Sequence, residues 1–378
     1  MNFDFTEDQA LIQNMVREFA ENEIKPISAE INKNHRFPEE TVNRMKELNL
    51  YGLAIPEEFG GTGVDTLAAA VVYEELARVD ASHSIMLSVH GMATKPIYYF
   101  GTEEQKAKYL PDMCSGKKIG CFCLTEPNAG TDAAAQLSRG VRDGDNFIIN
   151  GSKVFITNGP VGGTYVVFAM TDPEKGLKGI SAFIVSGDNP GLKIGQREEK
   201  MGICASPTSE VIFENMVVPA SDMIGKEGEG FKIAMRALDA GRIGVAAQAV
   251  GIGQGALEAA VTYIKERKQF GKPIAANQGI QWMVADMVTA LESARLLTYK
   301  AAVLNDQPGR FSQHSAMAKL AAANMAMDVT IKAVQLHGGI GYTTSYPVER
   351  FMRDAKITQI YEGTNEVMKM VIAGAALA

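Results

Sequence analysis

The first third of the chain repeats apolar side chains at helical spacing behind clear helix-start signals. Thr6 with Gln9 and Thr102 with Gln105 have the spacing of capping boxes, and Asp65 begins a further helix after a glycine-rich loop. The pattern predicts helices over residues 7–22, from 38, from 65, over 82–100 and over 106–113. Residues 82–100 are mostly uncharged, which indicates a helix buried on most sides.

Near Ile119 the apolar pattern changes to short runs rich in β-branched and aromatic residues. Turn signals such as Asn150-Gly151 and Pro190-Gly191 separate them. The runs predict a compact antiparallel sheet domain or barrel, with strands over residues 119–125, 147–149, 153–157, 165–170, 180–185 and 210–213.

From Gly230 to the end the pattern is helical again, with Gly241 or Gly251 as the expected bend in the first helix. Gly271-Lys272-Pro273 has the form of a helix stop. The predicted helices cover residues 231–270, 277–304, 312–337 and 347–360, which implies a four-helix bundle. Strands do not alternate with helices, so a doubly wound α/β fold is not expected. The expected fold is mainly α with a central β domain: a helical N-terminal domain over 1–118, a β-barrel over 119–226 and a helical bundle over 227–378.

Composition narrows the class of protein. The 378 residues carry a formal net charge of −7, which argues against a nucleic-acid surface or a polybasic membrane anchor. The apolar run over 243–257 is too short to cross a bilayer, and the acidic N-terminus differs from a signal peptide. We therefore expect a bacterial protein in the cytoplasm. Four cysteines and five histidines without ligand spacing predict reduced, buried thiols and no metal.

Residues 357–367 place one acid beside a glycine between two helical patterns. Gly363 permits a backbone conformation or a close ligand approach that a side chain would block, so Glu362 can be held at the mouth of a pocket. The alternative is a solvated acid at a helix end, and spacing alone favours that alternative.

Two segments of the β region carry candidate ligand groups. Residues 124–133 leave a strand into a turn whose backbone N–H groups can cradle a phosphate or a polar ring edge, although a plain turn is equally consistent. In residues 153–159, Phe155 and Thr157 share one strand face, as a flat heterocycle requires, but a core phenylalanine is the commoner explanation. No Gly-x-Gly-x-x-Gly follows a strand, so a Rossmann site is not supported.

Three further groups lie in the helical bundle. The segment from Arg267 to Gly271 places two cations where they complement a helix C-terminus. The segment from Gln335 to Gly339 ends another helix with an amide and two glycines. Asp239 and Arg242 stand in a largely apolar helix, where a charged pair requires a partner or a ligand.

Five motifs, taken together, resemble the acyl-CoA dehydrogenase family in order and spacing. They are Thr-Glu-Pro-Asn-Ala-Gly-Thr-Asp, Phe-Ile-Thr-Asn-Gly, Arg-Lys-Gln-Phe-Gly, Gln-Leu-His-Gly-Gly and Ile-Tyr-Glu-Gly-Thr-Asn-Glu. The likeness covers essentially the whole chain and is greatest to the short-chain, butyryl-CoA members of anaerobic bacteria. It implies a homotetramer, a dimer of dimers, with one FAD per subunit and electron-transferring flavoprotein as partner.

The resemblance also implies roles for individual residues, with Glu362 as the catalytic base. The segments that match the flavin ring site contain Phe122, Leu124, Thr125, Gly130, Thr131, Phe155, Ile156 and Thr157. A further match to an FAD contact contains Thr364 and Glu366. The segments that a neighbouring subunit gives to FAD contain Arg267, Gln269, Phe270, Gln278, Gln335, Gly338 and Gly339. The positions that match substrate contacts are Thr131, Asp239, Arg242, Tyr361 and Gly363.

Two positions depart from the family pattern. Phe155 stands where many relatives have tryptophan, so ring packing is kept while an indole N–H is lost. Gly241 occupies the position from which some branched-chain and long-chain members supply the base, which leaves Glu362 as the base candidate.

The expected reaction is the α,β-oxidation of a short acyl-CoA, butyryl-CoA to crotonyl-CoA, by α-proton abstraction and hydride transfer to flavin N5. The nearest rival is an enoyl-CoA reductase acting on crotonyl-, acrylyl- or aryl-enoyl-CoA in an electron-bifurcating complex. A non-catalytic acyl-CoA or flavin scaffold is a further alternative, although Glu362 and the five intact motifs argue against it. An acyl-CoA oxidase is another, since pocket closure sets the exposure of reduced flavin to oxygen.

Overall fold

The N-terminal part of the fold is helical. The structure is a computed structural model that describes residues 4–378. Its first helices are α1 (Glu7–Phe19), α2 (Ser28–Lys33), α3 (Glu39–Glu47), α4 (Thr66–Ala77), α5 (Ala81–Phe100) and α6 (Glu103–Cys114). Both predicted capping boxes form, and the Asp65 side chain caps α4. The short helix α2 was not predicted, and α1 ends in a π-helical turn, Ala20–Ile24.

A central sheet follows the helices. Its strands are β1 (Gly120–Cys123), β2 (Arg139–Asp143), β3 (Asn146–Thr157), β4 (Thr164–Met170), β5 (Ile180–Ser186), β6 (Leu192–Arg197), β7 (Thr208–Pro219) and β8 (Met223–Ile224). Their order is β6-β7-β3-β2-β4-β5-β8, with β1 beside β4. The expectation of a purely antiparallel sheet was wrong, because β1 pairs with β4 in parallel register. The strands β2 and β6 were not predicted.

The C-terminal part is a bundle of long helices. It contains α7 (Gly230–Glu266), the two-residue strands β9 (Lys268–Gln269) and β10 (Lys272–Pro273), and the helices α8 (Gln278–Asn305), α9 (Ser312–His337), α10 (Val348–Ile357) and α11 (Asn365–Ala376). The mainly α fold with a central β domain is therefore confirmed. Helix α7 is continuous through Gly241 and Gly251, the two positions at which a bend was expected.

The glycines of α7 serve close helix packing. A Cβ at Gly251 would lie 2.2 Å from the Glu74 carbonyl oxygen, and one at Gly255 would lie 2.1 Å from that of Arg78. Backbone atoms cannot move aside as a side-chain tip can, so these two positions bring α7 against the C-terminal end of α4. On its other sides α7 packs against α5 and α9. The middle of α7 is thereby buried, and the candidate site lies there.

Candidate active site

The turn between α10 and α11 holds Glu362 in an unusual backbone conformation. Its φ is 54° and that of Gly363 is 100°. A non-glycine residue with positive φ is uncommon, and such strain is found most often at functional sites. Thr364 then caps α11 by accepting a hydrogen bond from Val367 N–H, which fixes where the turn ends.

The carboxylate of Glu362 is buried without a hydrogen-bonding partner. Both oxygens are shielded from solvent, and among residues 4–378 no donor bonds to either one. Burial raises the pKa of Glu362 to about 7, while the nearby charges of Arg242 and Lys319 act in the opposite direction. Glu362 is therefore not the solvated acid that spacing alone favoured. A buried carboxylate left unpaired marks a site for a ligand or a proton transfer.

Gly241 of α7 makes the space that this carboxylate occupies. A Cβ there would lie 2.3 Å from Glu362 Oε2 and 2.7 Å from Met92 Sδ. One turn further along α7, a Cβ at Gly244 would lie 2.3 Å from Ser88 Oγ. The side chains of α5 thus fill the space beside these two glycines.

Two cationic side chains donate hydrogen bonds to the backbone of the Glu362 turn. The guanidinium of Arg242 donates from Nε to the Glu362 carbonyl oxygen at 3.2 Å and from Nη1 to Asp239 Oδ1 at 2.8 Å. Asp239 Oδ2 accepts a hydrogen bond from Ser312 Oγ. The ammonium of Lys319 donates to the Gly363 carbonyl oxygen at 2.8 Å. Asp239, Arg242 and Gly363 therefore lie in one hydrogen-bonded group around the Glu362 turn.

Lys319 was missed by sequence reasoning, although a signal was present. It is the single charged residue in the stretch 315–327, which is otherwise rich in alanine and methionine. A lone charge on a buried helix must find a partner, and the same reasoning singled out Asp239 and Arg242.

Tyr361 is anchored on the other side of the turn. Its hydroxyl donates to Gln248 Oε1, and Gln248 Nε2 donates to the Ala81 carbonyl oxygen at 2.9 Å. Burial raises the pKa of Tyr361 well above its usual value, so the phenol stays neutral. The turn is thus held from α7, α9 and the start of α5.

The β-domain candidates lie on β1, the loop after it and β3. Phe155 is 64% exposed at a φ of 59°, whereas Ile156 is buried. Phe122, Thr125 and Thr157 are half-buried, Leu124 is buried, and Gly130 and Thr131 are exposed on the loop. An exposed ring held in a strained backbone conformation at the end of a sheet is what a flat ligand would cover.

A buried lysine ties this loop to β3. Lys153 Nζ donates to the Leu124 carbonyl oxygen at 3.1 Å and to Glu126 Oε1 at 2.7 Å. The Glu126 carboxylate accepts from the backbone N–H groups of Leu137 and Ser138. Lys153 thus holds both ends of the loop that carries Gly130 and Thr131.

The remaining cofactor candidates gather at the far end of the bundle. The expectation that Arg267 to Phe270 end a helix was wrong, because α7 stops at Glu266 and a β9–β10 hairpin with positive φ at Phe270 and Gly271 follows. His337 at the end of α9 stacks on Tyr263 of α7 with ring centroids 4.3 Å apart. The exposed residues at this end are Arg267, Gln269, Phe270, Gln278, Gln335, Gly338 and Gly339.

The candidates at this end of the bundle are far from the Glu362 turn within one chain. From Gly241 to the end of α7 there are 25 residues, or roughly 37 Å at the rise of an α-helix. One dinucleotide does not reach over that distance, so the structure does not bring the two sets together within one subunit. Thr364 and Glu366 lie with Glu362 at the start of α11.

The part of the chain over residues 4–378 contains no cluster of three or more potential metal ligands, and its four cysteines are free and buried. None of its helices is long and apolar enough to span a bilayer.

Family models cover nearly the whole chain. The acyl-CoA dehydrogenase N-terminal domain matches residues 6–117, the middle domain 121–216 and the C-terminal domain 228–377.

Two relatives are similar over almost their full lengths. A short-chain specific acyl-CoA dehydrogenase of Clostridium acetobutylicum is 56% identical, with 99% of each chain covered. An acryloyl-CoA reductase (NADH) of Anaerotignum propionicum is 49% identical, with 99% of this chain and 95% of the relative covered.

Two solved structures share the fold closely. The butyryl-CoA dehydrogenase of Megasphaera elsdenii is 47% identical with a TM-score of 0.99, and both chains are fully covered. A chain in a structure described as the electron-transferring flavoprotein of Acidaminococcus fermentans, in work on flavin-based electron bifurcation, is 53% identical with the same TM-score and full coverage. The chain therefore belongs to the acyl-CoA dehydrogenase family.

Proposed function

We propose that this protein is an FAD-dependent short-chain acyl-CoA dehydrogenase in which Glu362 removes the α-proton of the thioester. The observation that carries the proposal is the Glu362 carboxylate, buried with both oxygens unpartnered beside Gly241. The family to which the chain belongs and the dehydrogenases among its relatives support it.

The cations that hold the Glu362 turn in position do not bond to the Glu362 carboxylate itself. The cations bond to the carbonyl oxygens of Glu362 and Gly363, so both carboxylate oxygens stay free to accept a proton. A pKa near 7 suits a general base at neutral pH better than the usual value for glutamate does. Binding of an acyl chain beside the carboxylate keeps water away from it.

The residues that fit FAD form two separate sets, one for the flavin ring and one at the hairpin end of the bundle. The exposed Phe155 ring and the neighbouring positions Phe122, Leu124, Thr125, Gly130, Thr131, Ile156 and Thr157 would hold the flavin ring, with Thr364 and Glu366 nearby. FAD bound there would supply the acceptor for a hydride from the β-carbon. Glu362 would take the α-proton, and a double bond would remain between the α- and β-carbons.

A second copy of the chain would complete the FAD site. The groups at Glu362 and at the β9–β10 hairpin are too far apart to hold one cofactor, and the hairpin end is exposed. Phe270 is fully exposed and Trp282 on α8 is 62% exposed. Such apolar exposure is typical of an interface between copies, and we infer the homotetramer, a dimer of dimers, that the family implies.

The substrate contacts proposed are Thr131, Asp239, Arg242, Tyr361 and Gly363. A short acyl chain is favoured because Met92 and Ser88 already fill the space beside Gly241 and Gly244. Electrons would leave to an electron-transferring flavoprotein, as the Acidaminococcus fermentans structure suggests. Four free buried cysteines suit a reducing compartment, and we place the protein in the cytoplasm.

The second candidate is the same site acting as an enoyl-CoA reductase. The 49% identical acryloyl-CoA reductase favours it. Kinetics with purified electron-transferring flavoprotein separate the two directions: reduction of enoyl-CoA without oxidation of acyl-CoA would overturn the dehydrogenase proposal.

The proposed function is tested by anaerobic titration of the FAD-loaded protein with butyryl-CoA. We expect the oxidised flavin absorbance to bleach in the wild type and to persist in Glu362→Gln with FAD content unchanged. Asp328→Asn, which changes an exposed acid of α9, is the matched control and should bleach as the wild type does. Full bleaching at wild-type rate in Glu362→Gln would contradict the role of Glu362.

A further inference from the structure

Lys319 is a fully buried charge whose contacts all lie on the Glu362 turn and its flank. Its side chain has 0% exposure, and its ammonium donates to the Gly363 carbonyl oxygen at 2.8 Å and to Asn365 Oδ1 at 3.2 Å. Asn365 Nδ2 in turn donates to Asn324 Oδ1 at 2.9 Å. Burying an ammonium in this way is costly unless a negative charge compensates it.

Once the other charges near the turn are paired, Glu362 is the negative charge that can compensate the Lys319 ammonium. Arg242 is matched by Asp239 at 2.8 Å, and the direct partners of Lys319 are a carbonyl and a carboxamide, which are neutral. The titratable or charged groups that face Glu362 or Lys319 are Arg242 and Asp239 on α7, Tyr73 on α4, Tyr361 beside Glu362, and Glu366 on α11. Burial raises the pKa of both tyrosines, so they stay neutral, and Glu366 is exposed.

We propose that Lys319 is the positioning residue of the catalytic base: it fixes the Glu362–Gly363 turn through the Gly363 carbonyl and serves as the counter-ion of the Glu362 carboxylate. The inference rests on the proposed function of Glu362. It assigns a role to the one charged residue in the buried stretch 315–327 of α9.

The charge of Lys319 acts against the burial that raises the pKa of Glu362. Removing that charge should therefore raise the pKa of Glu362 further. Loss of an opposite charge that faces a buried carboxylate raises the pKa of the carboxylate, and we expect a rise of about one unit or more. The base would then ionise only in more alkaline solution.

The test is the pH dependence of kcat/KM for butyryl-CoA in the FAD-loaded enzyme, which reports the base of the free enzyme. In Lys319→Met the acidic limb of the kcat/KM profile should move to higher pH by about one pH unit or more. Lys319→Arg keeps the charge, and its limb should stay close to that of the wild type. The matched control is Lys200→Met. Lys200 is half-buried and, like Lys319, donates to a backbone carbonyl, that of Ser206, at 2.8 Å.

The outcomes separate the possible roles. If Lys319→Met lowers the rate at every pH without moving the limb, Lys319 is only a structural anchor and the proposal is overturned. If Lys319→Met loses FAD or unfolds, Lys319→Gln, which can still donate a hydrogen bond but is uncharged, decides by the same criterion. A wild type that does not respond to butyryl-CoA would instead contradict the proposed function itself.

Discussion

Gly241→Ala tests whether the shape of α7 controls the position of the base. The added Cβ would lie 2.3 Å from Glu362 Oε2 and 2.7 Å from Met92 Sδ, against an ordinary contact of 3.4–4 Å. The carboxylate must therefore move by about 1 Å. A misplacement of about 1 Å at a reacting group costs roughly 100-fold in rate, so we expect kcat to fall by about that factor.

Stability should change much less than activity in this variant. Alanine is favoured over glycine in a helix by about 1 kcal/mol, and overpacking costs about 1–3 kcal/mol, so the two effects partly cancel.

The assay is steady-state oxidation of butyryl-CoA, with urea denaturation to measure the free energy of unfolding. Gly374→Ala on α11 is the matched control, because a Cβ there meets nothing within 4 Å and the residue lies outside the proposed FAD and substrate contacts. A Gly241→Ala enzyme that keeps the wild-type kcat while it folds normally would refute the reasoning.

Three further predictions concern the base, the pocket wall and the buried lysine of the β domain. Because Glu362 must be ionised to accept a proton and its pKa is about 7, kcat/KM should fall about tenfold per pH unit below that value, which a pH profile measures. Met92→Ala should improve kcat/KM for hexanoyl-CoA relative to butyryl-CoA, since it empties the space beside Gly241; an unchanged ratio would count against this wall. Lys153→Met should lower the free energy of unfolding by about 3 kcal/mol or more in urea, because it leaves the Glu126 carboxylate without its buried cation.

Local signals in the sequence predicted much of the fold. The capping boxes at Thr6 and Thr102 work through residues three positions apart, so their chemistry is visible without tertiary structure. The long helix α9 was predicted with its observed ends, residues 312 and 337. Its apolar pattern is uninterrupted, and glycine follows its last residue.

The errors arose where local pattern and tertiary structure disagree. Residues 267–273 resemble a helix stop, yet positive φ at Phe270 and Gly271 closes a hairpin turn there. Strands β2 and β6 are exposed at most of their positions and lack a clear apolar alternation. Their strand conformation comes from pairing with β3 and β7, which the sequence of either strand alone does not reveal.

The candidate site was predictable only in part, for a related reason. Glu362, Asp239 and Arg242 attracted notice because charge stands beside glycine or inside an apolar helix. Spacing nevertheless favoured a solvated Glu362, since burial of that carboxylate depends on Gly241, a residue 121 positions earlier in the chain. The contact of Lys319 with Gly363 likewise joins α9 to a turn 44 residues away, so only the folded bundle shows it.

These long-range contacts explain how one site can hold a base firmly without weakening it. Had Arg242 or Lys319 bonded to the carboxylate itself, charge-assisted hydrogen bonds would hold the pKa of Glu362 low and occupy the oxygen that must accept the proton. Both cations instead bond to the carbonyl oxygens of Glu362 and Gly363, at 3.2 and 2.8 Å. Positive φ at these two residues sustains the backbone conformation in which the carbonyls meet the cations while the carboxylate faces Gly241. The strain of the turn and the charges around it thus serve the same end, which is a carboxylate that is fixed in place and still basic.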